Sequence, residues 1–174
     1  KNYENEKFVW TDNYVSEGNH AALAPSTEEI VTTCLSKDGK PLRWVRKNDI
    51  YKFGKYTGIS TLETALYNMA VDEMINNFEK DGTLRTGLYW GGVWTRDVSY
   101  SSLLALAYVC PDKVKNSLEV KIDRMGRIIQ DTGTGGSWPC STDRVVWALS
   151  AWNIYLATGD MEWLQKAYLI IARS

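Results

Sequence analysis

The residues of this chain that are best suited to chemistry lie in one aromatic stretch, residues 87–100, which reads GLYWGGVWTRDVSY. Trp90 and Trp94 offer flat apolar faces, while Arg96 and Asp97 offer a fork of hydrogen-bond donors beside a two-oxygen acceptor. A pyranose ring has one apolar face and a rim of hydroxyl groups that each need a partner. This combination of residue types therefore predicts a site that binds sugar.

The stretch lies between two segments with helical periodicity, so it is predicted to be a loop that opens into a helix. Its three glycines, at positions 87, 91 and 92, allow sharp turns because they carry no Cβ. Loops held between rigid helices commonly carry function. We therefore expect a binding site on this loop.

The same residues also have a structural interpretation. Arg96 and Asp97 could form a structural ion pair, and Asp97 or Ser99 could cap the following helix. The two tryptophans would then belong to the core. Local spacing does not decide between the two interpretations.

The composition narrows the class of partner. The chain has 174 residues, of which 44% are hydrophobic and 24% are charged, which is typical of a globular domain with its own core. Eight Trp and ten Tyr against three Phe favour aromatic rings with a polar handle, as in carbohydrate-binding surfaces. The net charge is −1, with 20 basic and 21 acidic residues interspersed. Without a basic stripe to follow phosphates, nucleic acid is not an expected partner.

Several further site classes are not expected. No apolar run approaches the roughly 20 residues that span a bilayer, so we expect no membrane span. Cys34, Cys110 and Cys140 lack CxxC spacing, and His20 is the sole histidine, so neither a metal site nor a histidine-based triad is predicted. A bridge between Cys110 and Cys140 stays open. The compartment also stays open, with the periplasm or secretion favoured.

Residues 1–58 are predicted to form a lead segment that packs against the rest. Two β-prone runs, 30–35 and 42–46, flank the turn signal Asp38-Gly39. This pattern predicts one small β-hairpin inside an otherwise irregular lead.

Residues 59–174 are predicted to be helical. Ser60 and Glu63 form a capping box at the start of a long amphipathic helix of about twenty residues. Later in the chain Asp143 opens a helix, Gly159 ends it and Asp160 caps the next one, which predicts an antiparallel helical hairpin. The residues expected on buried faces are Leu62, Ala65, Leu66, Met69, Ala70, Met74 and Phe78 on the first helix, and Val145, Leu149, Trp152 and Leu156 on the later one.

The chain repeats its own plan of a helix followed by a glycine-rich aromatic loop. The second loop reads DTGTGGSWPC at residues 131–140, contains Trp138 and precedes Asp143. If helical hairpins are arranged around an axis as an α/α toroid, the two loops meet at one end. The residues then predicted to surround a single cleft are Trp90, Trp94, Arg96, Asp97, Trp138 and Asp143.

These motifs carry a family resemblance over residues 60–170. Trp94-Thr95-Arg96-Asp97 directly before a helix resembles the W-x-R-D sequence of six-hairpin glycoside hydrolases of the glucoamylase and glycogen-debranching type. Gly136-Ser137-Trp138 followed by Asp143-Arg144 is similar to the next cleft loop of glucoamylases. Ala157-Thr158-Gly159-Asp160 resembles a hairpin turn common in such barrels. The resemblance implies an all-α fold in which residues 59–174 form the N-terminal hairpins of an (α/α)6 toroid.

The resemblance also implies a function. It implies an exo-acting hydrolase of α-glucosidase or glucoamylase type that cleaves oligosaccharides or polysaccharides with two carboxylates and no cofactor. It implies that Arg96 and Asp97 bind the hydroxyl groups of the innermost sugar and that Trp138 lines the cleft. The catalytic acid and base are expected beyond residue 174, and the remaining hairpins are expected from further sequence or from another chain. Residues 139–142 depart from the glucoamylase loop.

Two alternatives stay open at this point. Rhamnosidases, mannosidases, trehalases and unsaturated glucuronyl hydrolases use similar barrels, so the substrate could differ while the fold stays the same. The second alternative is a carbohydrate-binding helical module without catalysis. The sugar, the linkage and the anomeric outcome do not follow from the sequence.

Overall fold

The computed structural model describes residues 2–5, 7–130 and 142–174. The chain divides into two compact units, Lys1–Asn76 and Asn77–Ser174. The first unit contains a six-stranded antiparallel sheet. The expectation of an all-α (α/α)6 toroid is therefore wrong, because the lead segment is a regular sheet rather than an irregular stretch with one hairpin.

The sheet is a meander in which each strand pairs with its neighbours in chain order. The predicted hairpin is present as its last two strands, and Gly39 turns its tip with a φ of 75° and an N–H that donates to the carbonyl of Ser36 at 2.9 Å. The strands are β1 (Tyr3–Glu4), β2 (Phe8–Trp10), β3 (Tyr14–Glu17), β4 (His20–Ser26), β5 (Glu29–Leu35) and β6 (Pro41–Val45).

The sequence of the fourth strand shows why most of the sheet was not predicted. β4 reads HAALAPS, which lacks β-branched residues and contains a proline that sequence reasoning treats as a strand breaker. The pairing of β4 with β5 shifts register between Leu23 and Ser26, and Pro25 falls inside that irregularity. A proline is tolerated at such a bulge because no ladder hydrogen bond is needed there.

The helix of the first unit, α1 (Thr61–Asn76), begins as predicted. The hydroxyl of Ser60 accepts the N–H of Glu63 at 3.1 Å. The second hydrogen bond differs from that of a capping box, because the Glu63 carboxylate accepts the N–H of Ile59 at 2.9 Å and not the N–H of the N-cap residue. The start of the helix is thus fixed by two side chains, which satisfies donors that helix geometry leaves open.

The buried side of α1 joins the helix to the sheet. Leu62 and Ala65 share a core cluster with Ala24 and Ile30 of the sheet. Because α1 packs there, the first unit extends to Asn76 instead of ending at the expected residue 58.

Part of the buried face of α1 is polar, which apolar periodicity could not show. Asn68 and Asp72 are 5% and 1% exposed, whereas Leu66, which was expected in the core, is 46% exposed. Both polar side chains have partners in the first unit: the Asn68 amide donates to the Thr27 carbonyl at 2.9 Å, and Asp72 accepts from the Trp44 indole at 2.9 Å. Hydrogen bonding therefore offsets the cost of burying them.

A short 3-10 helix (Tyr51–Phe53) precedes α1 in the first unit, and the other described helices lie in the second unit. One continuous helical stretch comprises α2 (Thr95–Ser101), a π-helical segment (Ser102–Leu106) and α3 (Ala107–Val109), and it is followed by α4 (Pro111–Glu119), α5 (Asp143–Thr158) and α6 (Met161–Arg173). The hairpin of α5 and α6 was predicted correctly. Gly159 ends α5 with a left-handed φ of 68°, and the carboxylate of Asp160 accepts the N–H of Trp163 at 2.9 Å.

The face of α5 that is buried in the core of the second unit is not the face that the sequence predicted. Val146, Trp147 and Ile154 are buried. The four residues expected on the buried face are 48% to 63% exposed instead, and they are Val145, Leu149, Trp152 and Leu156. Since α5 carries apolar residues on two sides, periodicity alone could not decide which side packs inward.

Two short β-hairpins repeat the same geometry in the second unit. The first joins Phe78 to Leu84 and the second joins Ile122 to Ile128. A glycine turns each tip with a positive φ, 87° in the first and 77° in the second. Each hairpin precedes one of the two glycine-rich loops in the sequence, so the repeated plan seen in the sequence has a structural counterpart.

Candidate functional site

The aromatic loop, residues 87–94, begins with a tight turn. Gly87 and Trp90 exchange backbone hydrogen bonds of 3.2 and 3.1 Å, and Tyr89 at the tip is 79% exposed. The guanidinium of Arg85 donates to two carbonyls of the loop, at 3.0 and 3.2 Å. The loop is therefore braced by backbone and side-chain hydrogen bonds while Leu88, Tyr89 and Trp90 face solvent.

The two tryptophans of the loop contact each other. Their ring centroids are 6.0 Å apart and the rings are inclined at 84°, an edge-to-face arrangement that fixes one ring against the other. Trp94 is partly buried and precedes α2, whereas Trp90 is 59% exposed. Trp90 therefore presents an oriented apolar surface, and Trp94 supports it.

A depression of about 480 Å³ lies at the start of α2. Arg96 and Asp97, both exposed, lie in the first turn of that helix. The wall is tied to the aromatic loop, since the N–H of Thr86 donates to the carbonyl of Gly92 at 3.2 Å. The lining residues are Thr86, Arg96, Asp97, Tyr100, Ser101 and Leu104.

Arg96 forms its ion pair with a residue of another helix. Its Nε lies 3.2 Å from Oδ1 of Asp143, the first residue of α5, and Asp143 is fully buried while the Arg96 side chain is 50% exposed. The structural interpretation expected a pair with the adjacent Asp97, and the observed contact reaches α5 instead. Asp143 therefore orients the guanidinium without reaching solvent itself.

The predicted site residues are thus only partly brought together. Arg96 joins Asp97 in the depression and joins Asp143 through the ion pair, while Trp90 and Trp94 form a separate pair on the loop. Trp138 lies outside the described residues.

Four residues that line the depression were not among the predicted residues, and they are Thr86, Tyr100, Ser101 and Leu104. Tyr100 is 52% exposed and lines the depression beside Asp97, and Thr86 connects the depression to the loop. One signal in the sequence pointed to Tyr100, because it follows Asp97 by three positions and residues so spaced share a helix face.

Within the part of the chain that the structure describes, other chemistries lack support. No group of three or more His, Cys, Asp or Glu is placed to hold a metal ion, and no helix is both long enough and apolar enough to cross a bilayer. Burial raises the pKa of the Cys110 thiol to about 11, so it stays protonated at neutral pH and is a poor nucleophile. His20 is exposed at the start of β4, as expected for a surface residue.

No family model matches the chain, and no curated protein or solved structure shows significant similarity to it. Function is therefore inferred from the site itself. Its parts supply an apolar ring for stacking, a cationic donor and an anionic acceptor. These are means of binding a hydroxylated ring.

Proposed function

We propose that this chain binds carbohydrate at the aromatic loop and the adjoining depression, as the sugar-binding part of a glycoside hydrolase of α-glucosidase type. One observation supports the proposal above all others. The exposed ring of Trp90 is braced by Trp94 on a loop that is tied to a depression containing Arg96 and Asp97. A sugar stacked on Trp90 could direct its hydroxyl groups to these two side chains.

The proposal gives this chain a binding role and assigns catalysis elsewhere. Hydrolysis needs one carboxyl group to protonate the leaving oxygen and another to activate water or attack the sugar. Asp143 suits neither task, because it is fully buried and paired with Arg96. Asp97 suits hydroxyl binding because it is exposed beside a cation. The same features fit a non-catalytic carbohydrate-binding module. Release of glucose from maltotetraose by this chain would contradict a purely binding role.

Replacing Trp90 tests the stacking surface. Trp90→Ala should weaken the binding of maltotetraose about tenfold, because it removes the exposed ring, while the melting temperature changes little. Isothermal titration calorimetry measures the affinity. Trp152→Ala is the matched control, since Trp152 is 49% exposed on α5 and away from the loop. An affinity of Trp90→Ala equal to that of the wild type would refute the proposed surface.

Two aspartate variants separate binding from structure. Asp97→Asn should weaken sugar binding about tenfold, because a charged acceptor is lost, and should leave unfolding unchanged. Asp143→Asn should instead lower the free energy of unfolding by about 2 kcal/mol, because the buried partner of Arg96 is neutralised. Urea denaturation and calorimetric titration of both variants give the comparison. If Asp97→Asn destabilises the fold as much as Asp143→Asn while binding is retained, Asp97 is structural.

A further inference from the structure

A second pocket, of about 450 Å³, lies in the first unit beside the start of α1. Its wall includes three side chains of the segment that leads into the helix, Tyr51, Lys55 and Tyr56, and the helix contributes Asn68. All of its lining residues belong to the first unit. The pocket shares no residue with the aromatic loop or the depression.

Asn68 contributes a hydrogen-bonding group to this pocket. The side chain is 5% exposed, and its amide nitrogen donates to the carbonyl of Thr27 at 2.9 Å. Asn68 also lines the pocket, and its amide oxygen is an acceptor to which a ligand can donate.

Two tyrosine rings are held in place by carboxylates. The hydroxyl of Tyr51 donates to Glu28 at 2.9 Å, and the hydroxyl of Tyr56 donates to Glu63. These hydrogen bonds raise the pKa of both phenols. Tyr56 also packs on Tyr67 with ring centroids 5.1 Å apart, yet Tyr51 and Tyr56 remain 43% and 40% exposed. The Lys55 ammonium and the Arg46 guanidinium lie over the ring of Tyr51, 5.1 and 5.4 Å from its centroid. Tyr56 is therefore the oriented ring on which a sugar can stack.

The charges around the pocket favour a neutral ligand. The lining contains one cation, Lys55, and one carboxylate, Asp12, which the hydroxyl of Thr61 holds at 2.6 Å. Glu63 adds negative charge nearby, whereas the charge of Glu28 is balanced by the guanidinium of Arg46. An anion would be repelled by these carboxylates, and a cation would meet the ammonium of Lys55.

We propose that this pocket binds one ring of a neutral sugar. The apolar face of the ring stacks on Tyr56, one sugar hydroxyl donates to the amide oxygen of Asn68, and others accept from Lys55. This inference does not rest on the proposed function of the aromatic loop, because the residues are different and lie in the other unit.

The test uses the whole chain carrying Trp90→Ala, so that the aromatic loop does not obscure the result. Maltotriose, galactose and mannose are titrated separately while ¹H–¹⁵N spectra are recorded. At least one sugar should cause saturable shifts of the amide signals of Gly58 and Ile59. Adding Lys55→Ala or Tyr56→Ser should weaken that binding about fivefold. Lys52→Ala is the matched control, because its ammonium lies over the ring of Phe53 outside the pocket.

The outcomes are distinct from those at the aromatic loop. Shifts at Gly58 and Ile59 that persist without Trp90 and weaken with Lys55→Ala support a second site. The absence of saturable shifts there with all three sugars overturns it, as does equal weakening by Lys52→Ala. Glucose and glucuronate are titrated in the same way, and tighter binding of glucuronate overturns the preference for a neutral ring. Absence of sugar binding at the aromatic loop of the wild-type chain refutes the proposed function and leaves this pocket standing.

Discussion

Trp147→Ala is expected to lower the unfolding free energy of the second unit by about 4 kcal/mol, the range measured when large aromatic core residues are truncated. Trp147 is fully buried, and its indole N–H donates to the carbonyl of Leu118 at 3.0 Å. Its ring lies 6.1 Å from that of Trp163, which is also buried. Truncation would therefore open a cavity, remove a ring contact and remove the indole hydrogen bond to the Leu118 carbonyl, which keeps the N–H of Lys121.

Urea unfolding followed by near-ultraviolet circular dichroism measures this effect. Trp147→Phe should lose about half as much, because the ring is largely replaced while the hydrogen bond is not. Trp152→Ala, on the same helix but 49% exposed, should lose less than about 1 kcal/mol. If Trp147→Ala and Trp152→Ala destabilise equally, Trp147 does not anchor the core of this unit.

The contrast between these two tryptophans also shows what the sequence could and could not reveal. Both occur on a helix whose bounds were predicted well, because the capping and turn residues act locally. Trp152 belonged to the expected buried stripe, and Trp147 did not. Helical periodicity detects an apolar stripe but does not identify its partner. When a helix carries two such stripes, packing against other elements decides which one is buried.

Most of the sheet was not predicted from the sequence, for a related reason. The hairpin of β5 and β6 has a strong local signal in Asp38-Gly39 and was predicted. β1 has 2 residues and β2 has 3, too few for alternation to be visible, and Pro25 argued against β4. Such strands are stabilised by pairing with their neighbours rather than by their own propensity.

The candidate site, too, could be predicted from the sequence only in part. The aromatic loop could be located because glycines, tryptophans and a charged pair are concentrated in one stretch. The partner of Arg96 could not be found from local spacing, because Asp143 is brought beside it only when α5 packs in the second unit. Thr86 was missed because its link to Gly92 is a backbone hydrogen bond, which has no residue-type signal.

Asp72→Ala is expected to lower the unfolding free energy of the first unit by about 3 kcal/mol at pH 7. Asp72 is 1% exposed, and it accepts from the indole of Trp44 at 2.9 Å. It also accepts from Asn48 through the backbone N–H at 2.9 Å and the side-chain amide at 2.8 Å, and from the N–H of Lys47 at 3.3 Å. Removing the carboxylate leaves these donors unsatisfied beside a closed cavity.

The same carboxylate should make the first unit sensitive to acid. Burial acts to raise the pKa of Asp72, but the hydrogen bonds from Trp44, Asn48 and Lys47 outweigh it and hold the pKa below its ordinary value. A carboxyl group whose pKa is lower in the folded chain stabilises the fold above its unfolded pKa of about 4. That contribution is lost as the pH falls through the folded pKa.

Urea unfolding at pH 7 and pH 3, followed through the indole Nε1–H signal of Trp44, tests this dependence. Asp72→Asn keeps the shape but cannot titrate, so its stability should change less between the two pH values than that of the wild type. Asp49→Asn is the control, since Asp49 is exposed and accepts only from the N–H of Tyr51 among the described contacts. If Asp72→Asn retains the full pH dependence, other carboxylates control the acid response, and Asp72 acts through its hydrogen bonds alone.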